Sequence, residues 1–179
     1  NAEAAERKKA EEALSKNRHQ YQELIENIGE GIAILDNQGH FLFVNPYLER
    51  IFGVSAFELT GRSLNEFVSN KEYEKLYKQL MLLHKGNKLK HQVELRGKDG
   101  EIKICSITAS SHFDSSGNFT GFFAIFRDIT AAKWAENIQK VLYKISEATN
   151  VSQNLDDLFH SIHQNLSEII NTKNFYIAL

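Results

Sequence analysis

The sequence predicts an α+β domain: a five-stranded antiparallel sheet with short helices on one face, between two helices that carry coiled-coil-like seams. Three observations predict it. Two short apolar runs on either side of Asp36-Asn37-Gln38-Gly39 read as a β-hairpin near the start. Two Ser/Glu capping boxes follow within a few residues and announce short helices. Three alternating strand patterns, joined by Gly-rich turns, then close the unit.

Residues 1–29 are rich in Ala, Glu and Lys and hold no Gly or Pro before Gly29, so they read as a helical connector. Leu14, Tyr21, Leu24 and Ile28 fall at a and d spacing, with Asn17 at an intervening d position. That is a narrow heptad seam with one polar member, as in a parallel coiled coil whose register an Asn fixes. The alternative is a lone amphipathic helix lying on the domain.

In the opening hairpin, Ile32 to Leu35 and Phe41 to Val44 supply the strands. Asn45-Pro46 then pairs a good N-cap with a proline at home in the first helical position. Ser55 with Glu58 and Ser63 with Glu66 form the capping boxes, and Gly53 and Gly61 suit left-handed helix ends. A longer helix is expected over 71–84, with Tyr73, Leu76, Tyr77, Leu80 and Leu83 on one face. Strands are expected over 89–96 and 102–110 around Gly97-Lys98-Asp99-Gly100, and a last one over 119–127.

From Asp128 the pattern changes. Trp134, Ile138, Val141, Ile145 and Ala148 form a heptad-like seam on an exit helix, broken at Thr149-Asn150-Val151-Ser152. A second amphipathic helix shows Leu155, Phe159, Ile162, Leu166 and Ile169 on one side. Phe175 to Leu179 looks like a strand without a partner, which implies truncation within a second domain. The expected division is therefore 1–29 connector, 30–130 α+β domain, 131–150 exit helix and 151–179 the start of another domain. Lys9-Ala10-Glu11-Glu12 and Trp134-Ala135-Glu136-Asn137 echo each other near the starts of the two connectors, as in a tandem array.

Composition limits the partners. A net charge of −2 gives no electrostatic case for nucleic acid or an anionic membrane. No apolar run approaches the ~20 residues that span a bilayer, so no membrane contact is expected of this segment. One cysteine and no secretory signal fit a cytoplasmic setting.

At this point the residues resemble a PAS sensor domain. The carriers are Gly31-Ile32 through Asp36, Val44-Asn45, Ile51-Phe52-Gly53, Glu58-Leu59 with Gly61-Arg62, Lys98-Asp99-Gly100, and Asp128-Ile129-Thr130. They occur in order over about 20–130. The early ERKKAEEAL also resembles the connector that follows PAS domains in sensor kinases, and 153–179 resembles the first helix and strand of a GAF domain. The resemblance implies a multidomain signalling protein, a sensor histidine kinase or a cyclic-dinucleotide enzyme. Its PAS domain would bind a ligand or simply dimerise, and would pass a shift through Asp128, Ile129, Thr130 and Trp134 to downstream GAF and output domains. No phosphoacceptor, ATP-lid or GGDEF string is present, so the segment reads as regulatory and not catalytic.

The chemistry of individual residues narrows the options. Flavin-binding members need a reactive Cys where Leu64 stands, and polar amides where Leu95, Cys105 and Phe126 stand, so flavin is disfavoured. Haem-binding members need an axial His on the longer helix. None lies in 70–77, and His84 and His91 would be unorthodox ligands, so haem is disfavoured too. No metal site is expected, because His160 and His163 alone are two ligands on a solvated helix flank. Leu64, Leu95, Cys105, Ile107, Ala124 and Phe126 are expected to line an apolar pocket that takes a small apolar molecule or nothing. Cys105 is expected to be a buried small hydrophobe, and the rival reading is a thiol enzyme pairing it with His112. Phe122, Ala124 and Phe126 alternate with Phe123, Ile125 and Arg127, so both sheet faces need a cover. The outer face calls for the leading helix or a second subunit, and a homodimer through the flanking helices is the expected partner. The rival within this reading is a ligand-free dimerisation scaffold.

Overall fold

A computed structural model describes residues 2–83, 87–151 and 155–167. Helix α1 (Ala2–Asn27) leads into β1 (Gly31–Asp36) and β2 (Phe41–Val44). Helices α2 (Pro46–Phe52) and α3 (Ala56–Leu59), a 3-10 turn (Leu64–Glu66) and α4 (Asn70–Met81) follow. Strands β3 (Lys88–Arg96), β4 (Ile102–Phe113) and β5 (Phe119–Asp128) complete the sheet. Helices α5 (Thr130–Val151) and α6 (Leu155–Ser167) come last. The chain divides into two compact units, 1–129 and 130–179.

The first unit is the expected α+β domain. Its antiparallel sheet has the order β2-β1-β5-β4-β3, so the last strand occupies the centre between the first and the fourth. Inner-facing Ala33, Leu35, Ile107, Ala109, Phe122, Ala124 and Phe126 join Leu48, Phe52, Leu59, Leu64, Leu76 and Leu80 from the helical side in one core. On the other face, Ile32 pairs with Ile125, and Ile34 with Phe123 and Phe43.

The predicted caps form as written. Asn45 Oδ1 accepts from the Leu48 amide, both Ser/Glu boxes close reciprocally, and Gly53 takes a left-handed φ of 65°. Two boundaries differ. Helix α4 starts one residue early because the Ser69 hydroxyl accepts from the Glu72 amide. It ends at Met81, not 84, because the Leu82 and Leu83 amides donate to Gln79 and Leu80 and tighten the last turn. Strand β4 runs three residues past the expected 110, held by pairing of Ser111 with Phe122 and His112 with Gly121.

In the second unit, α5 ends at Val151, within the expected break over 149–152, and α5 and α6 contact each other. The Phe175–Leu179 strand lies outside the described residues. No helix among the described residues is long and apolar enough to cross a membrane.

Candidate functional site

The interior between α4 and the sheet is the first place to look for a ligand. Four phenyl rings cluster in the core beside it. Phe52 lies edge-on to Phe41, Phe67 and Phe126, at 5.6, 4.6 and 6.0 Å between centroids. What remains is a void of about 20 Å³, with Leu64, Leu76, Ile107, Ala124 and Phe126 among its walls. That is the space of one water, and the apolar walls give a water no partners.

Two tyrosines close this void. Tyr73 and Tyr77 stack at 5.7 Å, and their hydroxyls donate to the Gln38 and Asn37 carbonyls at 3.0 and 2.7 Å. They tie α4 to the β1–β2 turn, where Gly39 leaves room that a Cβ would fill, 2.6 Å from the Tyr73 hydroxyl. Asp36 shapes that turn by accepting from the Gln38 and His40 amides, both at 2.8 Å, and pairs with the His40 ring. Burial alone would raise its carboxyl. The His40 amide, the His40 ring and the Gln38 amide outweigh that and hold it below its ordinary value.

Of the six residues expected to line a pocket, all are buried, but only Leu64, Ile107, Ala124 and Phe126 reach the void. Cys105 does not, because it pairs with Val93 and Asp128, past the end of the Ile107–Phe126 pair that walls the void. Leu95 lies beside a different feature, a surface groove of about 260 Å³ with Phe67 and Val68 in its floor. Leu64, Leu95, Cys105 and Phe126 offer no amide to a flavin edge. His91 is half-buried opposite Ile107 and does not line the void, and His84 lies outside the described residues. Among the described residues no cluster of three metal-ligating side chains occurs, and His160 and His163 are both exposed.

The thiol-enzyme reading fails on geometry. His112 is on the same strand as Cys105, seven residues along it and therefore about 23 Å away at ~3.3 Å per residue. Its ring bonds Thr120 instead, at 2.7 Å. Burial, then the Asp128 charge, push the Cys105 thiol up to about 12. At pH 7.5 it therefore holds roughly three orders of magnitude less thiolate than a free thiol. Iodoacetamide labelling followed by mass spectrometry is expected to be slower than for glutathione by at least that factor. A rate near that of the free thiol would show that the site is open.

The second place to look is where the flanking helices join the sheet. Asn45 is wholly buried and its side chain makes four hydrogen bonds. Its Oδ1 accepts from the Ile32 and Leu48 amides at 2.8 and 3.1 Å. Its Nδ2 donates to the Ile25 and Glu30 carbonyls, both at 3.0 Å. One side chain thus joins the last turn of α1, the start of β1 and the start of α2. Beside it, Arg127 Nε donates to Glu30 Oε1 at 2.6 Å. The sequence shows Asn45 as a cap and as part of the Val44-Asn45 motif but not as a junction, because its other partners are main-chain groups away from it in the chain.

The expected relay residues sit at the exit. Asp128 ends β5 opposite Cys105, and the Ile129 amide donates to the Ile104 carbonyl at 2.9 Å. Thr130 opens α5, so one residue separates the central strand from the exit helix. Trp134 is about half exposed.

Comparison with known proteins places this architecture. The curated relatives include the signal transduction histidine-protein kinase AtoS of Escherichia coli, 25% identical over 148 residues. Sporulation kinase E of Bacillus subtilis is 28% identical over 130 residues. Those matches cover 82% and 70% of this chain, which spans only 23% and 16% of the two relatives. Among solved structures, the PAS domain of an HTR-like protein from Haloarcula marismortui is 26% identical with a TM-score of 0.62, over 68% of this chain and 99% of that one. A PAS domain from Colwellia psychrerythraea shares the fold at 20% identity and a TM-score of 0.58, over 63% and 97% of the two chains. The family model described as PAS fold matches residues 19–129, from within α1 through all five strands to the residue before α5. With the fold of these neighbours and the matched span in agreement, the chain belongs to the PAS fold family.

Proposed function

We propose that this segment is the regulatory input unit of a larger cytoplasmic signalling protein of the sensor histidine kinase type. It dimerises through its flanking helices and the outer sheet face, and relays a conformational bias through α5 to a GAF-like domain and an output domain downstream. One observation carries the reading: both connectors and the outer face carry exposed or half-buried apolar side chains that the core does not use. Leu14 and Leu24 of α1 are 71% and 62% exposed, and Trp134 and Ile138 of α5 are 48% and 47% exposed. Ile34, Phe123 and Ile125 form a half-buried apolar strip across β1 and β5. A second copy is the natural cover for such seams. The kinship with sensor kinases and the one-residue junction between β5 and α5 support the relay.

Within that reading, the filled interior favours a scaffold that senses through its neighbours over one that holds a resident cofactor. Native mass spectrometry of freshly purified protein is expected to give a dimer of unliganded chains, and sedimentation equilibrium at tens of micromolar the same dimer. A monomer in both would overturn the dimer reading. A bound mass or a visible absorbance band would overturn the scaffold reading and make the domain a chemical sensor.

A further inference from the structure

Helix α1 is almost free of the domain it leads into. Its described side chains are exposed from Arg7 through Gln20, and near its end only Ile25 is half-buried. Its main-chain anchor to the domain is the Ile25 carbonyl, held by the buried Asn45 amide. The same amide holds the Glu30 carbonyl, and the Glu30 carboxylate reaches Arg127. The sheet register makes this meeting obligatory. Gly31 pairs with Phe126 in the antiparallel β1–β5 ladder, so Glu30 and Arg127 face each other one step further out. A Cβ on Gly31 would fall within contact of the Leu48 side chain and 3.2 Å from Phe126, so packing at this corner leaves little slack. Arg127 is followed by Asp128 and by Ile129, whose amide is tied to β4.

We propose that Asn45, Glu30 and Arg127 form a clasp that couples the last turn of α1 directly to the exit strand, so that a displacement of the leading connector reaches the start of α5 without any rearrangement of the core. The proposal rests on the relay reading above and names its input: the domain conducts a signal arriving from its own N-terminal side. Arg127 and Glu30 are partly exposed, so the pair adds little to global stability. Its role is positional. It makes the end of α1 and the end of β5 move as one piece, and Asn45 is the fixed point of that piece on the domain.

Hydrogen–deuterium exchange on the 179-residue chain tests the clasp. Arg127→Gln removes the ion pair at an exposed side chain, and Asn45→Asp keeps the cap acceptor while removing the donor to Ile25 and Glu30. Each variant is expected to speed exchange about tenfold both at 24–30 and at 128–131, with the amides of 105–109 unchanged. Exchanging the charges, Glu30→Arg with Arg127→Glu, is expected to restore the protection that Glu30→Arg alone or Arg127→Glu alone removes. Loosening confined to the segment that carries the substitution, or no restoration in the charge-exchanged variant, would overturn the clasp. Sedimentation of the same samples separates the two readings: a monomer that keeps the paired exchange response refutes the dimer and leaves the clasp standing.

Discussion

Phe52→Ala is expected to lower the unfolding free energy by about 3–5 kcal/mol, the range for deleting a buried aromatic ring. Phe52 is wholly buried and touches three other rings, so its loss strips one edge contact from each as well as its own burial. Its carbonyl also accepts the Lys98 amide at 3.1 Å, which fixes the backbone and prevents α2 from settling into the vacated space. The space left would lie against Phe126, a wall of the existing void. The two together would form a dry, apolar cavity of the kind that takes benzene or xenon. Urea denaturation with and without saturating benzene reads both effects. The variant should regain stability with benzene, and the wild type should not. A loss below about 1 kcal/mol would mean that the ring is not part of the support. Equal stabilisation of the wild type would mean that its interior already opens to a ligand, and the scaffold reading would fall with it.

How much of this was visible beforehand depends on the distance over which each feature is encoded. Caps and turns are local. Ser55 with Glu58, Asn45 with Pro46, and the glycines at 53 and 61 each specify their geometry within a few residues, and the alternation of Phe122 to Arg127 gave both faces of β5. The pocket is not local. Leu95 and Cys105 have the right inward parity, but parity does not tell how far along the sheet the void extends. Nor does it show that rings from β2, α2, the 66–67 turn and β5 converge to fill the space. The same holds for the tyrosine closure. Helical spacing puts Tyr73 and Tyr77 on the face that meets the core, yet their partners are carbonyls 35 and 40 residues away. Main-chain acceptors leave no mark in side-chain identity, which is also why the sequence does not show Asn45 as the junction of α1 with the sheet.

Gly121→Ala is expected to be the most damaging single-methyl change in the sheet. Gly121 lies on the central strand, between Asp36 of β1 and His112 of β4, with a φ of 147°, which side-chain-bearing residues rarely adopt. A Cβ there would penetrate the Leu35 carbonyl oxygen and sit 2.8 Å from the Asp36 backbone. These are main-chain atoms paired in the ladder, so no rotamer change can make room. Either β1 separates from β5 at Leu35 and Asp36, or β5 shifts register and turns Phe122, Ala124 and Phe126 out of the core. Both routes exceed about 4 kcal/mol, within reach of the whole stability of a domain this size. Gly117→Ala separates this clash from backbone preference alone. It also has a positive φ, 84°, but open space around the Cβ, so it should cost only about 1–2 kcal/mol. The comparison is read by soluble yield and urea midpoint at equal concentration. A Gly121→Ala chain that folds within about 1 kcal/mol of the wild type would show that β1 and β5 need not approach so closely. If instead it fails where Gly117→Ala survives, the close approach of the first and last strands is what the domain depends on. The same ladder carries the Glu30–Arg127 pair at its other end.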